Sequence, residues 1–242
     1  MADLRPEAVS VARALSKLGW CSRAQAQTLV VAGRVSVDGN VVTDPSFRLD
    51  MKRSRITVDG VLVRPGERVH LMMNKPAGYV TTTSDERGRQ TVYDLLDADT
   101  PRVNAVGRLD MQSEGLLLFT NDTRWADRIN DPRTHIDKVY EVRLACAIAD
   151  ADLERALAGV DAGRGEVLRF KAVSRMSRGD DWIEVVLDEG RNRQIRRVLE
   201  SLGCEIVRLI RTSVGPVRLG SLEPGAVRAL TSGEKRSLEV TG

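Results

Sequence analysis

The stretch Gly107-Arg108-Leu109-Asp110, continued by Ser113-Glu114-Gly115-Leu116-Leu117-Leu118-Phe119-Thr120-Asn121-Asp122, constrains this chain more than any other. A short polar loop runs directly into an unbroken apolar run, Leu116–Thr120, which suits a buried strand and little else of that length. Gly107 and Gly115 frame the loop and permit backbone turns that other residues resist. Between them lie one carboxylate, Asp110, and one guanidinium, Arg108. A loop at a strand end is a common place to present a reactive group, although the same residues in isolation would equally suit a solvated hairpin turn.

Periodicity organises the rest of the chain. Near the start, Val9, Ala12, Leu15 and Leu18 fall on one helix face, with Gly19 as the stop. Ser22-Arg23-Ala24-Gln25 reads as a capping box opening a second helix to about Ala32, with Gly33 as C-cap. Arg34–Val37, Asp38-Gly39 and Asn40–Val42 read as a hairpin, Asp-Gly being a strong turn signal. Turn punctuation at Asp59–Glu67 marks a boundary, with a linker around residues 61–67, so the expected domains are 1–66 and 67–242. In the second, Val69–Met73, Leu116–Thr120, Lys138–Ala145, Trp182–Leu187 and Cys204–Ile210 read as strands. Asp122–Asn130, Asp150–Ala158 and Asn192–Leu202 read as helices, and Thr231-Ser232-Gly233-Glu234 caps a short terminal one. The fold class expected is α+β.

Charge is distributed unevenly. Residues 1–66 hold ten Lys/Arg against six Asp/Glu, about +4, which leaves the other 176 residues near −1. A small basic unit suits the neutralisation of phosphates, and a solvated basic surface would look the same by charge alone. No apolar run approaches the roughly 20 residues of a membrane span. Met1–Glu7 is not followed by the apolar segment of a signal peptide, so the expected location is the cytoplasm. Cys21, Cys146 and Cys204 are far apart and far from His70 and His135. That spacing argues against a zinc site and for buried, reduced thiols.

The loop and strand around Asp110 resemble the catalytic signature of rRNA pseudouridine synthases of the small-subunit/large-subunit type. Three further segments match that family in order: Lys75-Pro76-Ala77-Gly78-Tyr79-Val80, Lys138-Val139-Tyr140-Glu141-Val142 and Glu189-Gly190-Arg191-Asn192-Arg193-Gln194-Ile195-Arg196-Arg197. Ahead of them, residues 8–50 resemble an S4 RNA-binding module. The chain departs from the pattern at Ser113, where many relatives have Thr, and at Thr123, where Gly is common.

The resemblance implies a small helix-helix-hairpin S4 domain, followed by a catalytic domain with a bifurcated, mostly antiparallel sheet flanked by helices. It also implies isomerisation of uridine to pseudouridine, which consumes nothing and needs no cofactor or metal. Asp110 would face the ribose as nucleophile or as base and electrostatic partner. Arg196 would be its counter-charge, and Tyr140 would stack on a base flipped out of the RNA. Lys75 and Lys138 would support the rim, Arg193 and Arg197 would lie four apart on a helix face toward RNA phosphates, and Arg108 would contact RNA or buttress the loop. Lys17, Arg23 and Arg34 are the candidate RNA contacts of the S4 unit, though each could equally be an exposed charge. The expected partner is ribosomal RNA, 23S before 16S, or a ribosomal assembly intermediate, and the expected state is a monomer. A non-catalytic S4-type assembly factor and a single-Asp hydrolase are the rival classes. The first predicts loss of Asp110, Tyr140 or Arg196, and all three are present. The second needs a second carboxylate, for which Glu114 is the candidate, or clustered acids for a metal.

Overall fold

A computed structural model describes residues 8–163 and 165–240. The N-terminal heptapeptide Met1–Glu7 lies outside them. The described residues divide into two compact units, the first comprising 8–69, 99–104 and 121–123 and the second the other described residues.

The first unit opens with helices Val11–Lys17 and Arg23–Val31. Ser10 accepts a hydrogen bond from the Arg13 amide, and Ser22 and Gln25 close a full capping box. Val9, expected in the first helix, instead pairs with Leu49 in a two-residue strand that sets where the helix can begin. The hairpin Val35–Val37/Asn40–Val42 turns through Asp38 and Gly39, both at positive φ, as a tight two-residue turn requires. A second Asp-Gly turn, Asp59-Gly60, does the same between Ile56–Val58 and Val61–Leu62. Val61 and Leu62 are therefore a strand of this unit and not the start of the linker. The four strands form one sheet, and Leu15, Ala26, Val30 and Val35, all fully buried, join it to the helices.

The second unit is built on one mixed sheet. Its main path runs Ala172–Arg175, Trp182–Leu187, Lys138–Leu144, Ile206–Val214, Glu114–Thr120, His70–Lys75 and Val227–Ala229. Every neighbouring pair on this path is antiparallel except Ile206–Val214 with Glu114–Thr120. That parallel pair is brief: only Ile210 with Glu114 and Arg211 with Gly115. The sheet thus consists of two antiparallel halves joined at one short seam. Helix Gln194–Ser201 places Ile195, Val198 and Leu199 against Val142, Ile183 and Val185 of one half. Helix Thr123–Asn130 places Trp125 and Ile129 against Met72, Leu116 and Leu118 of the other, where Leu238 of the C-terminal helix Ser232–Val240 also packs. Thr231 and Glu234 cap that last helix reciprocally. The α+β class holds, and among the described residues no helix is long and apolar enough to cross a membrane. Of the thiols expected to be buried, only Cys21 is; Cys204 is half-buried and Cys146 is exposed, in the bend after the strand Lys138–Leu144.

Gly115 is the residue the seam cannot replace. It has φ of +99°, and a Cβ there would sit 2.3 Å from the Arg211 carbonyl oxygen and 2.7 Å from its amide nitrogen. The obstacle is main chain, which cannot rotate away. A Gly115→Ala variant should lose about 3 kcal/mol or more of stability, or fail to fold, as read from the urea midpoint against the parent.

Candidate active site

The loop after Val106 is held from beneath by a buried charge. Lys75 ends the strand His70–Lys75 with its side chain fully buried. Its ammonium donates to the carbonyls of Pro76 (3.0 Å), Met111 (3.2 Å) and Ser113 (2.7 Å). Three N–H donors thus meet three acceptors, which is how a buried ammonium is satisfied. Thr81 Oγ1 donates to the Leu109 carbonyl and accepts from the Leu109 amide, and the Gly78 amide donates to the Met111 carbonyl. The residues on both sides of Asp110 are therefore fixed. Lys75, expected at the rim, is inside because the strand carrying it is covered on both faces and the turn 109–113 closes over its tip.

Asp110 itself is about one-third exposed. Its Oδ2 lies 3.8 Å from Arg196 Nε and 3.8 Å from Arg193 Nη1. Both distances are ion-pair range but too long for hydrogen bonds. Arg196 is nearly buried, and its Nη2 donates to the Gln112 carbonyl (3.2 Å) and Ser113 Oγ (3.4 Å), while its Nε has no hydrogen-bond acceptor among the described residues. Burial and the neighbouring Arg193 charge both lower the Arg196 pKa from its ordinary value, and Asp110 raises it. The carboxylate thus faces two guanidiniums without being clasped by either.

Arg193 and Arg197 do not share a helix face. Arg193 has φ of +51° and stands immediately before the helix, which begins at Gln194 rather than Asn192. That left-handed residue turns the chain so that its guanidinium meets both Asp110 and Glu200. Arg197 points elsewhere. It donates to Glu166 (2.6 Å) and to the carbonyls of Ala162 and Gly163, with only 12% of its side chain exposed. It ties down the turn between Val160–Asp161 and Val167–Leu168, so its guanidinium is committed within the fold and is not presented on a helix face beside Arg193. Gln194, quoted in the motif without a role, is buried and bridges Glu189 and the Arg169 carbonyl.

Asp110, Tyr140, Lys138, Arg108, Arg193 and Arg196 line one open cavity of about 430 Å³, a volume that suits a small polar ligand. Tyr140 is half-buried on the strand Lys138–Leu144, opposite Arg211 in the pairing. Arg211, absent from the sequence-based candidates, also lines the cavity and is 5% exposed. The expected strand ended at Ile210, one residue short of it, and strand alternation alone does not separate a buried arginine from an exposed one. In the first unit, Lys17 is half-buried and Arg23 exposed, and neither has a polar partner among the described residues. Arg34 is held by a fork to Asp59.

Residues 69–201 match the family model described as RNA pseudouridylate synthase, and residues 11–53 match the S4 domain. The two together define an RNA-binding enzyme that modifies its RNA in place. A relative from Mycobacterium tuberculosis described as an RNA pseudouridine synthase is 38% identical, over 95% of this chain and 92% of its own length. One from Aquifex aeolicus is 33% identical, over 95% and 93%. A solved pseudouridylate synthase crystal structure superposes with a TM-score of 0.69 at 27% identity, covering 95% of this chain and 99% of the other. This chain belongs to the RNA pseudouridine synthase family.

Replacing Lys75 with Met should leave three buried carbonyls without their donor and cost about 2–5 kcal/mol in denaturant unfolding. Burial lowers the Lys75 pKa from 10.5 to about 8. The folded protein therefore releases this proton before the unfolded chain does. Below about pH 8 the penalty of the buried charge is constant, and it is relieved as the pH rises toward 10.5. The stability difference between the parent and Lys75→Met should accordingly shift in favour of the parent over that window, in paired unfolding curves at each pH.

Proposed function

We propose that this chain isomerises uridine in ribosomal RNA, with 23S rRNA the substrate favoured over 16S. The observation that carries the reading is the position of Asp110: one partly exposed carboxylate between Arg193 and Arg196, in a cavity also lined by Tyr140. The target uridine is flipped from the RNA into the cavity and stacks on Tyr140, which offsets part of the cost of unstacking. Asp110 acts at the ribose side as the N1–C1′ bond breaks. The base turns, C5 joins C1′, the C5 proton leaves and N1 gains one, so nothing is consumed. Arg196 and Arg193 face the carboxylate and direct it, and because neither hydrogen-bonds it, Asp110 is free of short ties when it engages the sugar. Arg108, exposed at the mouth of the cavity, meets the RNA.

The S4 unit supplies affinity through its basic excess, with Lys17 and Arg23 the contacts whose charge is uncommitted. The preference for 23S rests on the Glu189–Arg193 and Leu209–Arg211 sequence contexts, which are more similar to the large-subunit branch.

Tritium release from 16S and 23S transcripts carrying [5-³H]uridine tests the reaction and the substrate together. The expected result is release from 23S alone. Asp110→Asn should bind the transcript as the parent does and lose about 10³-fold or more in turnover. Turnover within about tenfold of the parent removes Asp110 from the chemistry. Changing Lys17 and Arg23 together to Gln should weaken RNA binding and flatten its dependence on log salt by about one to two units, roughly one for each phosphate no longer neutralised.

A further inference from the structure

The cavity is lined by two cations, Lys138 and Arg211, that form no ion pair among the described residues. Lys138 and Tyr140 are two apart on one strand and so share a face of the sheet, and Arg211 is paired opposite Tyr140. Lys138 and Arg211 therefore sit on the same wall, and both line the cavity.

Arg211 is 5% exposed, yet among the described residues it uses only one of its five donors. Its Nε donates to the Leu116 carbonyl (2.7 Å), and its Nη2 is buried without a hydrogen-bond partner. Among the described residues it makes no ion pair. Lys138 is half-buried and, among the described residues, its ammonium has neither a hydrogen bond nor an ion pair. Burial first, and then the adjacent Arg211 charge, hold its ammonium below the usual lysine range. Asp188 and Asp137 oppose that effect without pairing with Lys138: Asp137 is bound to Lys171 (2.7 Å), and Asp188 lies 3.1 Å from His135 Nδ1, a contact that balances its charge only when the imidazole is protonated. The acids lining the cavity are also taken. Asp110 faces Arg193 and Arg196, and Glu189 is paired with Arg191 and Gln194.

Two like charges side by side, one of them almost wholly buried, repel each other and raise the cost of folding unless a ligand supplies the missing negative charge. A uracil carbonyl is an acceptor but carries no net charge, so it satisfies a donor and leaves the electrostatics unbalanced. A phosphodiester oxygen does both.

We infer that Lys138 and Arg211 form a phosphate subsite of the cavity, which takes a non-bridging phosphate oxygen of the nucleotide bound against Tyr140. The inference rests on the reading that the cavity receives a nucleotide of RNA. It assigns Arg211 a role in holding the substrate and leaves the bond-making chemistry to Asp110. The subsite fixes the ribose from its phosphate side, so that C1′ is presented to the carboxylate in one orientation.

The test uses the full chain. Uridine, uridine 3′-monophosphate and uridine 5′-monophosphate are each titrated as competitors of transcript binding at low salt. One of the monophosphates should compete about tenfold or more better than uridine, since a charge-assisted contact of this kind amounts to at least one decade in affinity. Lys138→Gln should remove that advantage while leaving competition by uridine unchanged, and Lys138→Arg should keep it. On the transcript itself, Lys138→Gln should reduce the slope of log affinity against log salt by about one, and Asp110→Asn should leave the slope intact. Arg211→Lys keeps the charge and should retain the preference for the monophosphate, whereas Arg211→Gln should lose it; circular dichroism confirms that both variants are folded. Monophosphates that compete no better than uridine, together with an unchanged salt slope in Lys138→Gln, overturn the subsite. Equal weakening of uridine and nucleotide in Lys138→Gln also overturns it, because the pair would then be reading the base. A parent that releases no tritium from any transcript refutes the proposed substrate and leaves these binding measurements to be judged by themselves.

Discussion

The approach of the Gly115 main chain to that of Arg211 is the interaction on which the catalytic unit depends. Two antiparallel half-sheets meet there over two residue pairs, and each half carries different parts of the site. Lys75 and the Asp110 loop belong to one half. Tyr140, Lys138 and Arg211 belong to the other, and the helix bearing Arg196 packs against it. So few backbone pairs would be a weak joint alone. Side chains crossing the seam reinforce it: Arg211 Nε to the Leu116 carbonyl, the two-pronged pair of Arg208 with Glu114 at 2.8 Å each, and Arg196 to the Gln112 carbonyl. Bidentate and charge-assisted bonds are the stronger and more directional kind, and they lie where orientation between the halves matters most.

The second organising feature is the density of hydrogen bonds around a residue that makes few of its own. Lys75, Thr81 and Gly78 hold the backbone of the Asp110 loop at Leu109, Met111 and Ser113. The Asp110 side chain, by contrast, has two guanidiniums at 3.8 Å and no shorter tie to either. A rigid support under a lightly held carboxylate is the arrangement expected of a group that must meet something brought from outside. The same contrast holds at Arg211, anchored through Nε and open at its other edge.

Local chemistry made much of this legible in the sequence. The Ser22–Gln25 capping box, the Asp38-Gly39 turn and the Ile195, Val198, Leu199 spacing each depend on residues within one turn of chain, and each formed where expected. The motifs likewise brought Asp110 and Arg196 together. The sequence misled wherever a side chain's surroundings are assembled from distant segments. Lys75 looks like a rim lysine until the carbonyls of residues 76, 111 and 113 are seen to converge on it. Arg197 looks like an outward charge until Glu166, 31 residues away, receives it. Arg193 looks helical because the motif is continuous, yet its φ is positive and the helix starts one residue later. Residues 61–67 look like a linker because a hairpin whose second strand, Val61–Leu62, is two residues long leaves little pattern to read.

The seam also limits how the chain could drift under mutation. At most packed positions an enlarged side chain can be accommodated by a smaller neighbour, so a damaged site has possible second-site suppressors. Position 115 offers none of that kind. The atoms in the way are the amide nitrogen, carbonyl carbon and carbonyl oxygen of residue 211, present whatever side chain that residue carries. A change of side chain at 211 therefore cannot relieve the clash, and it also removes the Nε brace to the Leu116 carbonyl. One strand position thus serves the joint twice, through its main chain and through its side chain, while the same side chain lines the cavity.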